Sequence, residues 1–370
     1  MGKHLVLVGG GHAHMMTLAA LQNFVDDGHR VTVIAPSPYH YYSGMGPGML
    51  GKTYTPDKIR FATRQVVEKK GGQFIHDSVE RIDPVKKTLF LHSGDRVTYD
   101  VVSFNAGSQV TAMPTEGDAA GIFTVKPIER LLEAQQKIVA QSVSGEISVA
   151  VVGGGPSAAE IAGNIWALIR AAGSHTPKIT IYAGTAMMGR FPARVKKKIV
   201  QILSRRGVRI IEKLRVINIS GAAVETDDGQ THPADIVFLA TGVKPSPIFT
   251  VSGLPTGPDG GLRVNTYLQS IAHENIFGGG DCIYFQDAPL DKVGVYAVRQ
   301  NPVLLHNLDA ALNGRKLMPF DPGGDYLLIF NVGGGMGVLR KRQFQVNGRI
   351  AFWIKDYIDR KFMKKFQAIQ

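Results

Sequence analysis

Two glycine turns carry the residues whose spacing could do chemistry. Gly9-Gly10-Gly11-His12-Ala13-His14 follows the apolar run 5–8, and Gly153-Gly154-Gly155-Pro156-Ser157-Ala158 follows the β-branched run 147–152. A buried strand that enters such a turn and then a helix brings backbone N–H groups up to a pyrophosphate with no side chain in the way. The helix N-terminus adds its partial positive charge. In the first turn His14 stands where a small residue would pack helix against strand, whereas Ala158 keeps that position small in the second. Pro156 loses nothing at a helix start, where its missing N–H would have had no partner. Two such units in one chain point to two nucleotide ligands.

Further candidates lie after other strands. Residues 39–48 run from tyrosine and histidine rings into glycine and proline, a loop that could lie against a flat ring; an irregular surface loop is the plainer reading. Small residues Asn105-Ala106-Gly107-Ser108 end one buried run, Thr241-Gly242 another, and Gly278-Gly279-Gly280-Asp281 a third. The strand that follows each glycine unit ends without the carboxylate that would meet a ribose: Ala35-Pro36-Ser37 in the first, Ala183-Gly184 in the second. Arg190 and Arg194 follow closely and suit a 2′-phosphate. None of the 11 His residues falls at metal-ligand spacing. His12 and His14 either tune charge at the first turn or pack its helix start. Cys282, the single cysteine, excludes an internal disulfide or redox dithiol and reads as a small buried residue.

These residues need elements to hold them. The patterning predicts a helix over 15–24, strands over 29–35, 73–82, 87–92 and 100–104, and a loop-like crossing over 111–127. A helix over 129–141 leads to the second turn. Strands over 178–182, 208–219 and 235–240, a helix over 195–206, the run 275–280 that precedes Asp281, and a long helix over 293–312 follow. Residues 326–331 and 336–342 suggest a hairpin whose turn, Gly333-Gly334-Gly335, runs strand to strand and so binds no nucleotide. A helix closes the chain from about Ala351.

The chain has 370 residues, 44% of them hydrophobic, enough for two α/β domains. No apolar run approaches the roughly 20 residues of a membrane span. The first strand begins at once, leaving no room for a signal peptide, so a cytoplasmic protein is expected. The net charge of +12 concentrates in segments 190–209 and 340–365. No nucleic-acid-binding motif accompanies it, and nucleic acid is not expected as a partner.

The ordered set GGGHAH, GGGPSAAE (153–160), ATG (240–242) and GGGD (278–281) resembles the pyridine nucleotide-disulfide oxidoreductases, flavoproteins with two dinucleotide folds. The likeness covers about residues 3 to 315. Lacking the redox cysteines, the chain is most similar to the type II NADH dehydrogenase branch. YYSGMGPGM, GVYAVRQNPVLLHNL and the tail IKDYIDRKFMKKF also resemble the flavoprotein portion fused to some selenide, water dikinases.

The resemblance implies an FAD domain over 1–115 and 248–320, an inserted NAD(P) domain over 116–247, and a hairpin-helix extension over 321–370. FAD would meet Gly9, Gly11, His12, Pro36, Ser37, Pro47, the backbone of Val79, Ala106, Gly107 and Gly280, with Asp281 on its sugar-alcohol chain. NAD(P)H would meet Gly153, Gly155, Pro156, Ser157, Arg190, Thr241 and Gly242, with Glu160 as the catalytic carboxylate beside the nicotinamide. Tyr296 and Gln300 occupy the acceptor neighbourhood, and only Gln300 matches the branch. The activity implied is hydride transfer from NAD(P)H to FAD, then to a quinone-type acceptor. A reductase of a small redox protein such as a ferredoxin, a flavin-bearing sensor, and a sulfur- or selenium-linked oxidoreductase are the alternatives.

The tail poses its own question. Ile354, Ile358, Phe362, Phe366 and Ile369 form one helical stripe, widened by Phe352, Trp353 and Tyr357 and surrounded by Lys355, Arg360, Lys361, Lys364 and Lys365. Such a helix suits a membrane interface, peripheral on the cytoplasmic face, where a lipid-soluble quinone is met. Packing on the protein's own body or on a second copy in a homodimer is the other reading.

Overall fold

The computed structural model describes residues 2–173 and 177–370. Two five-stranded parallel sheets organise it, each built around the strand that enters a glycine turn. The first places His4–Val8 at its centre, with Arg30–Ala35 and Gln73–His76 on one side and Val101–Phe104 and Ile276–Gly278 on the other. The second repeats the pattern around Ser148–Val152. Lys178–Ala183 and Arg209–Glu212 lie on one side, Ile236–Leu239 and Ile122–Thr124 on the other. Central strands buried on both faces explain the near-continuous apolar runs LVLV and SVAVV, because helices cover both sides of a parallel sheet. The fold is α/β with two dinucleotide-binding units and a C-terminal extension, as the motif order implied.

Several boundaries differ from the sequence expectation. The run 73–82 is not one hairpin strand. Gln73–His76 completes the first parallel sheet, and Val79–Asp83 pairs antiparallel with Thr88–Leu91. Asp77 breaks the run, its carboxylate accepting the backbone N–H groups of Ser78 and Ser93. The crossing expected as loop contains Ile122–Thr124, an edge strand too short to show a period. The expected strand run 208–219 divides at a turn into Arg209–Glu212, at the sheet edge, and Val216–Ser220, in a separate antiparallel sheet.

The extension is a three-stranded meander, Leu328–Asn331, Gly337–Lys341 and Phe344–Gly348, followed by the helix Arg349–Gln367. The third strand, FQVNG, does alternate apolar and polar residues, but its five residues are too short a run to have been singled out. The meander docks on the helix Pro156–Ala171, where a Cβ on Gly163 would lie 2.1 Å from the Val332 carbonyl oxygen. Arg206 fastens this joint by donating to the carbonyls of Val332 and Gly333, with its guanidinium 4.3 Å over Trp166. That removes Arg206 from any solvated basic face.

The tail helix lies on the body. Its buried face is Ala351, Phe352, Lys355, Asp359, Met363 and Phe366, whereas Ile358 is 42% exposed. The stripe is therefore rotated from the one the apolar residues suggested. Lys355 and Asp359 bury because they pair at 2.7 Å, one turn apart, and find polar partners in the body. Trp353, Tyr357 and Ile350 remain exposed on the other face. Among the described residues no helix is long and apolar enough to cross a membrane.

Candidate functional site

The first turn is held by amides from distant segments. Gly9 has φ +91°, and a Cβ there would sit 2.3 Å from the Asn105 carbonyl oxygen, so only glycine fits between the two strands. Asn105 Oδ1 accepts from the Ala13 N–H at 3.1 Å, and its Nδ2 donates to the Gly279 carbonyl at 2.8 Å. Asn301 Oδ1 accepts from the Met16 N–H, and its Nδ2 donates to the His12 carbonyl. Gln300 Oε1 accepts from the Gly280 N–H at 2.7 Å. Gln300 is thus buried as the clamp of the Gly280–Asp281 turn. Tyr296 lines the same crevice as Gly280, Asp281 and Gln300, with its ring against Tyr326.

The two histidines of the first turn part company. His14 is satisfied on both nitrogens, Nδ1 against the Gly9 carbonyl at 2.7 Å and Nε2 against the Ser103 hydroxyl at 2.8 Å, which makes it a packing residue. His12 bonds through Nδ1 to His40 Nε2 at 3.1 Å, while its own Nε2 is buried with no partner in the protein. Tyr42 and Phe362 close around it, with ring centroids 5.1 and 5.7 Å away. Burial pushes His12 down to about 4, aided by the positive charge of Lys126.

Asp281 does not stand alone. Lys126 Nζ donates to its Oδ2 at 2.7 Å and so does the Ser108 hydroxyl at 2.7 Å. Burial works to raise the carboxyl, but Lys126 and Ser108 outweigh it and hold Asp281 below the ordinary value. Cys282 is fully buried with Sγ toward the carbonyls of Phe104 and Gly279, and burial lifts its thiol to about 11, so it is inert.

The second turn repeats the first. Gly153 has φ +141°, and a Cβ there would lie 2.1 Å from the Ala240 carbonyl oxygen. Gly155 instead faces open space, as do Gly242 and, beside the first turn, Gly107. Pro156 and the exposed Ser157 start the helix, and exposed Thr241 borders it from the neighbouring strand end. Ala183 is buried, whereas Arg190 and Arg194 are exposed beyond it. Glu160, one turn into the helix, has Oε1 accepting from the Asn331 N–H at 2.7 Å. Burial raises it to about 7, against the opposing pull of Lys355 and the Asn331 bond.

Around the first turn, Pro36 and Ser37 sit at the end of the second strand, Pro47 is buried in the short helix Gly46–Leu50, and Ala106 is exposed beside Gly107. Val79 begins the antiparallel hairpin that follows the sheet's edge strand. Sequence reasoning missed Lys126, Asn331 and Asp359; it named the 39–48 loop, Asn105-Ala106-Gly107-Ser108 and Lys355 without the contacts they make. Asp359 accepts from the Tyr42 hydroxyl at 3.1 Å, and Lys355 donates to the Gly44 carbonyl at 2.8 Å. The tail helix therefore touches both halves: Phe362 meets His12 near the first turn, and the charge of Lys355 acts on Glu160 near the second. Only the YHYYSG run signalled any of this, through its unusual aromatic density.

The cradle suits two dinucleotides. Open approaches at Gly107, Gly155 and Gly242 leave room for backbone-to-phosphate contact, and His12 Nε2 is buried with no partner in the protein, a donor or acceptor position free for a bound group or a water. No cluster of metal-ligating side chains occurs among the described residues.

Comparison with known proteins agrees. The family model described as pyridine nucleotide-disulphide oxidoreductase matches residues 3–307. The chain is 23% identical to the NADH dehydrogenase-like protein YutJ of Bacillus subtilis (strain 168), over 92% of this chain and 91% of that one. It is 24% identical to the type II NADH:quinone oxidoreductase of Staphylococcus aureus (strain MSSA476), over 99% and 96%. The solved structure of NDH2 from Plasmodium falciparum in complex with NADH superposes with a TM-score of 0.82 at 14% identity, covering 100% of this chain and 98% of that one. With the family match extending across both glycine turns, the chain belongs to the pyridine nucleotide-disulphide oxidoreductases.

Proposed function

We propose that this protein is an NAD(P)H dehydrogenase that passes electrons through FAD to a quinone-type acceptor. As a member of its family it is an oxidoreductase that works with FAD and NAD(P)H. The observation that carries the acceptor reading is the tail helix, which closes over the His12 side of the first turn with Phe362 while keeping Trp353 and Tyr357, 65% and 67% exposed, on its outer face.

Bound FAD supplies the hydride-accepting ring; the protein's residues do the positioning. Gly9, Gly11 and the helix start after His12 would hold the pyrophosphate, and Asp281, fixed by Lys126 and Ser108, would hold the sugar-alcohol chain. The second turn, Gly153 to Ser157, holds the nicotinamide dinucleotide, with Thr241 and Gly242 across from it. Glu160, fixed by its bond to Asn331, would lie on the nicotinamide side of that site. Exposed Arg190 and Arg194 suit the 2′-phosphate of NADPH, in the absence of a ribose-binding carboxylate at Ala183.

The outer tail face is a membrane-interface element in this reading. Ile350, Trp353 and Tyr357 lie at helical spacing, with Lys361, Lys364 and Lys365 beyond. The quinone named for the staphylococcal relative is the acceptor class that such a surface would meet. Anaerobic mixing with NADH or NADPH, then with a soluble quinone or a ferredoxin, tests the reading through the flavin spectrum. Rapid reoxidation by quinone is expected. Reoxidation by ferredoxin alone would replace quinone with a protein acceptor.

A further inference from the structure

The first glycine turn holds a pair of imidazoles that nothing in the positioning scheme uses. His12 Nδ1 and His40 Nε2 lie 3.1 Å apart, with ring centroids 4.8 Å apart at an interplanar angle of 84°. His12 is 7% exposed and its Nε2 has no partner in the protein. One nitrogen of the shared contact must donate and the other must accept. The pair can therefore hold one additional proton but not two, since two imidazolium rings would face donor to donor.

The surroundings fix the charge. Lys126 faces both rings and is neutralised by Asp281 at 2.7 Å. From the tail, Lys355 and Asp359 neutralise each other at 2.7 Å, and Asp359 accepts from the Tyr42 hydroxyl, which burial holds in its protonated form. Phe61 and Phe362 supply only apolar rings. The enclosure is balanced before reduction. Hydride arrival adds one negative charge, and in a buried site that charge draws a proton.

We propose that the His12–His40 pair takes one proton from solvent as hydride reaches the flavin and gives it to the acceptor when the electrons leave. This rests on the dehydrogenase reading above. The balance is simple. NAD(P)H delivers two electrons and one proton as hydride, and a quinone needs two electrons and two protons to become a quinol. The second proton comes through His40 and leaves from the unpartnered Nε2 of His12, giving NAD(P)H + H⁺ + quinone → NAD(P)⁺ + quinol. Burial keeps both rings neutral in the resting protein, so the uptake is tied to reduction. Glu160 is the rival site for the proton, since it too is enclosed and held near neutrality.

The test is proton counting in the FAD-loaded protein. Anaerobic mixing with one equivalent of NADH at pH 7, in weak buffer with an indicator dye, follows flavin bleaching and proton uptake together. Hydride transfer alone consumes no proton from the medium. Wild type is expected to take up about one proton per flavin reduced beyond what His12→Gln or His40→Gln takes up, while Glu160→Gln, reduced more slowly or at higher NADH, keeps the wild-type count per flavin reduced. Equal uptake in wild type and both histidine variants overturns the proposal, as does a loss confined to Glu160→Gln. Should His12→Gln shed its flavin, ¹⁵N-histidine spectra of wild type before and after reduction decide: one shared imidazolium is expected, and two unchanged neutral rings overturn it. If neither NADH nor NADPH bleaches the flavin, the dehydrogenase reading fails and the relay falls with it.

Discussion

Glu160 accepts the backbone N–H of Asn331 at 2.7 Å, so the helix that opens at the second glycine turn is tied directly to the first strand of the C-terminal meander. The carboxylate expected beside the nicotinamide is therefore positioned by the extension rather than by its own domain.

The pH dependence of folding follows from that placement. Burial raises Glu160 from 4.5 to about 7, so the folded protein binds a proton there that the unfolded chain has already released. Stability should be greatest below the unfolded value and fall as pH rises from about 4.5 to about 7, then level off. The contribution is about 3 kcal/mol at most, at about 1.4 kcal/mol per pKa unit. Urea titrations across this range should show the fall in wild type and its absence in Glu160→Gln.

Gly155→Val should leave FAD bound and block reduction by NAD(P)H by at least about tenfold, because a Cβ there enters open space and strains nothing in the fold. Flavin absorption and stopped-flow bleaching measure the two effects separately. Equal loss of FAD would mean that the two turns do not divide the ligands.

Arg190→Ala should raise the KM for NADPH several-fold and leave that for NADH unchanged. Arg190 is exposed. Steady-state kinetics with both nucleotides read the difference, and equal shifts would remove Arg190 from the phosphate role.

Lys355 and Asp359 are 8% and 3% exposed, so removing one leaves a buried charge. Lys355→Met should cost about 3–5 kcal/mol, and the double change Lys355→Met with Asp359→Leu should recover most of it. Denaturant midpoints compare the two.

Trp353→Ser with Tyr357→Ser should weaken sedimentation with anionic liposomes at low salt without changing thermal stability, since both side chains stand in solvent. Deleting residues 351–370 is the poorer experiment. It would also strip Phe362 from His12 and Lys355 from the body.

What could be read from the sequence was local. A strand, a glycine turn and a helix are adjacent in the chain, so LVLVGGG and VAVVGGG announced both sheets and their central strands. The site-closing residues were not adjacent to anything they serve: Lys126 reaches Asp281, Tyr42 reaches Asp359, and Asn105 reaches Gly279. The tail was misread in rotation for a definable reason. A hydrophobic stripe counts Lys355 and Asp359 as outward, yet a charge that finds its opposite one turn away can turn inward. Gln300 was singled out for an acceptor, and its amide is engaged by the Gly280 N–H. The two histidines of the first turn look alike in sequence, and only the partners Ser103 and His40 tell them apart.

The stacking of Phe362 on His12 also sets an order of events during synthesis. The glycine turn leaves the ribosome first and the residue that covers it among the last, while domains fold from the N-terminal side as they emerge. A nascent chain can thus shape its first sheet only after residues 276–278 arrive, and its cover later still. A chain cut just before residue 349 keeps both glycine turns and Asp281 but lacks Phe362 over His12, so its first turn stands uncovered.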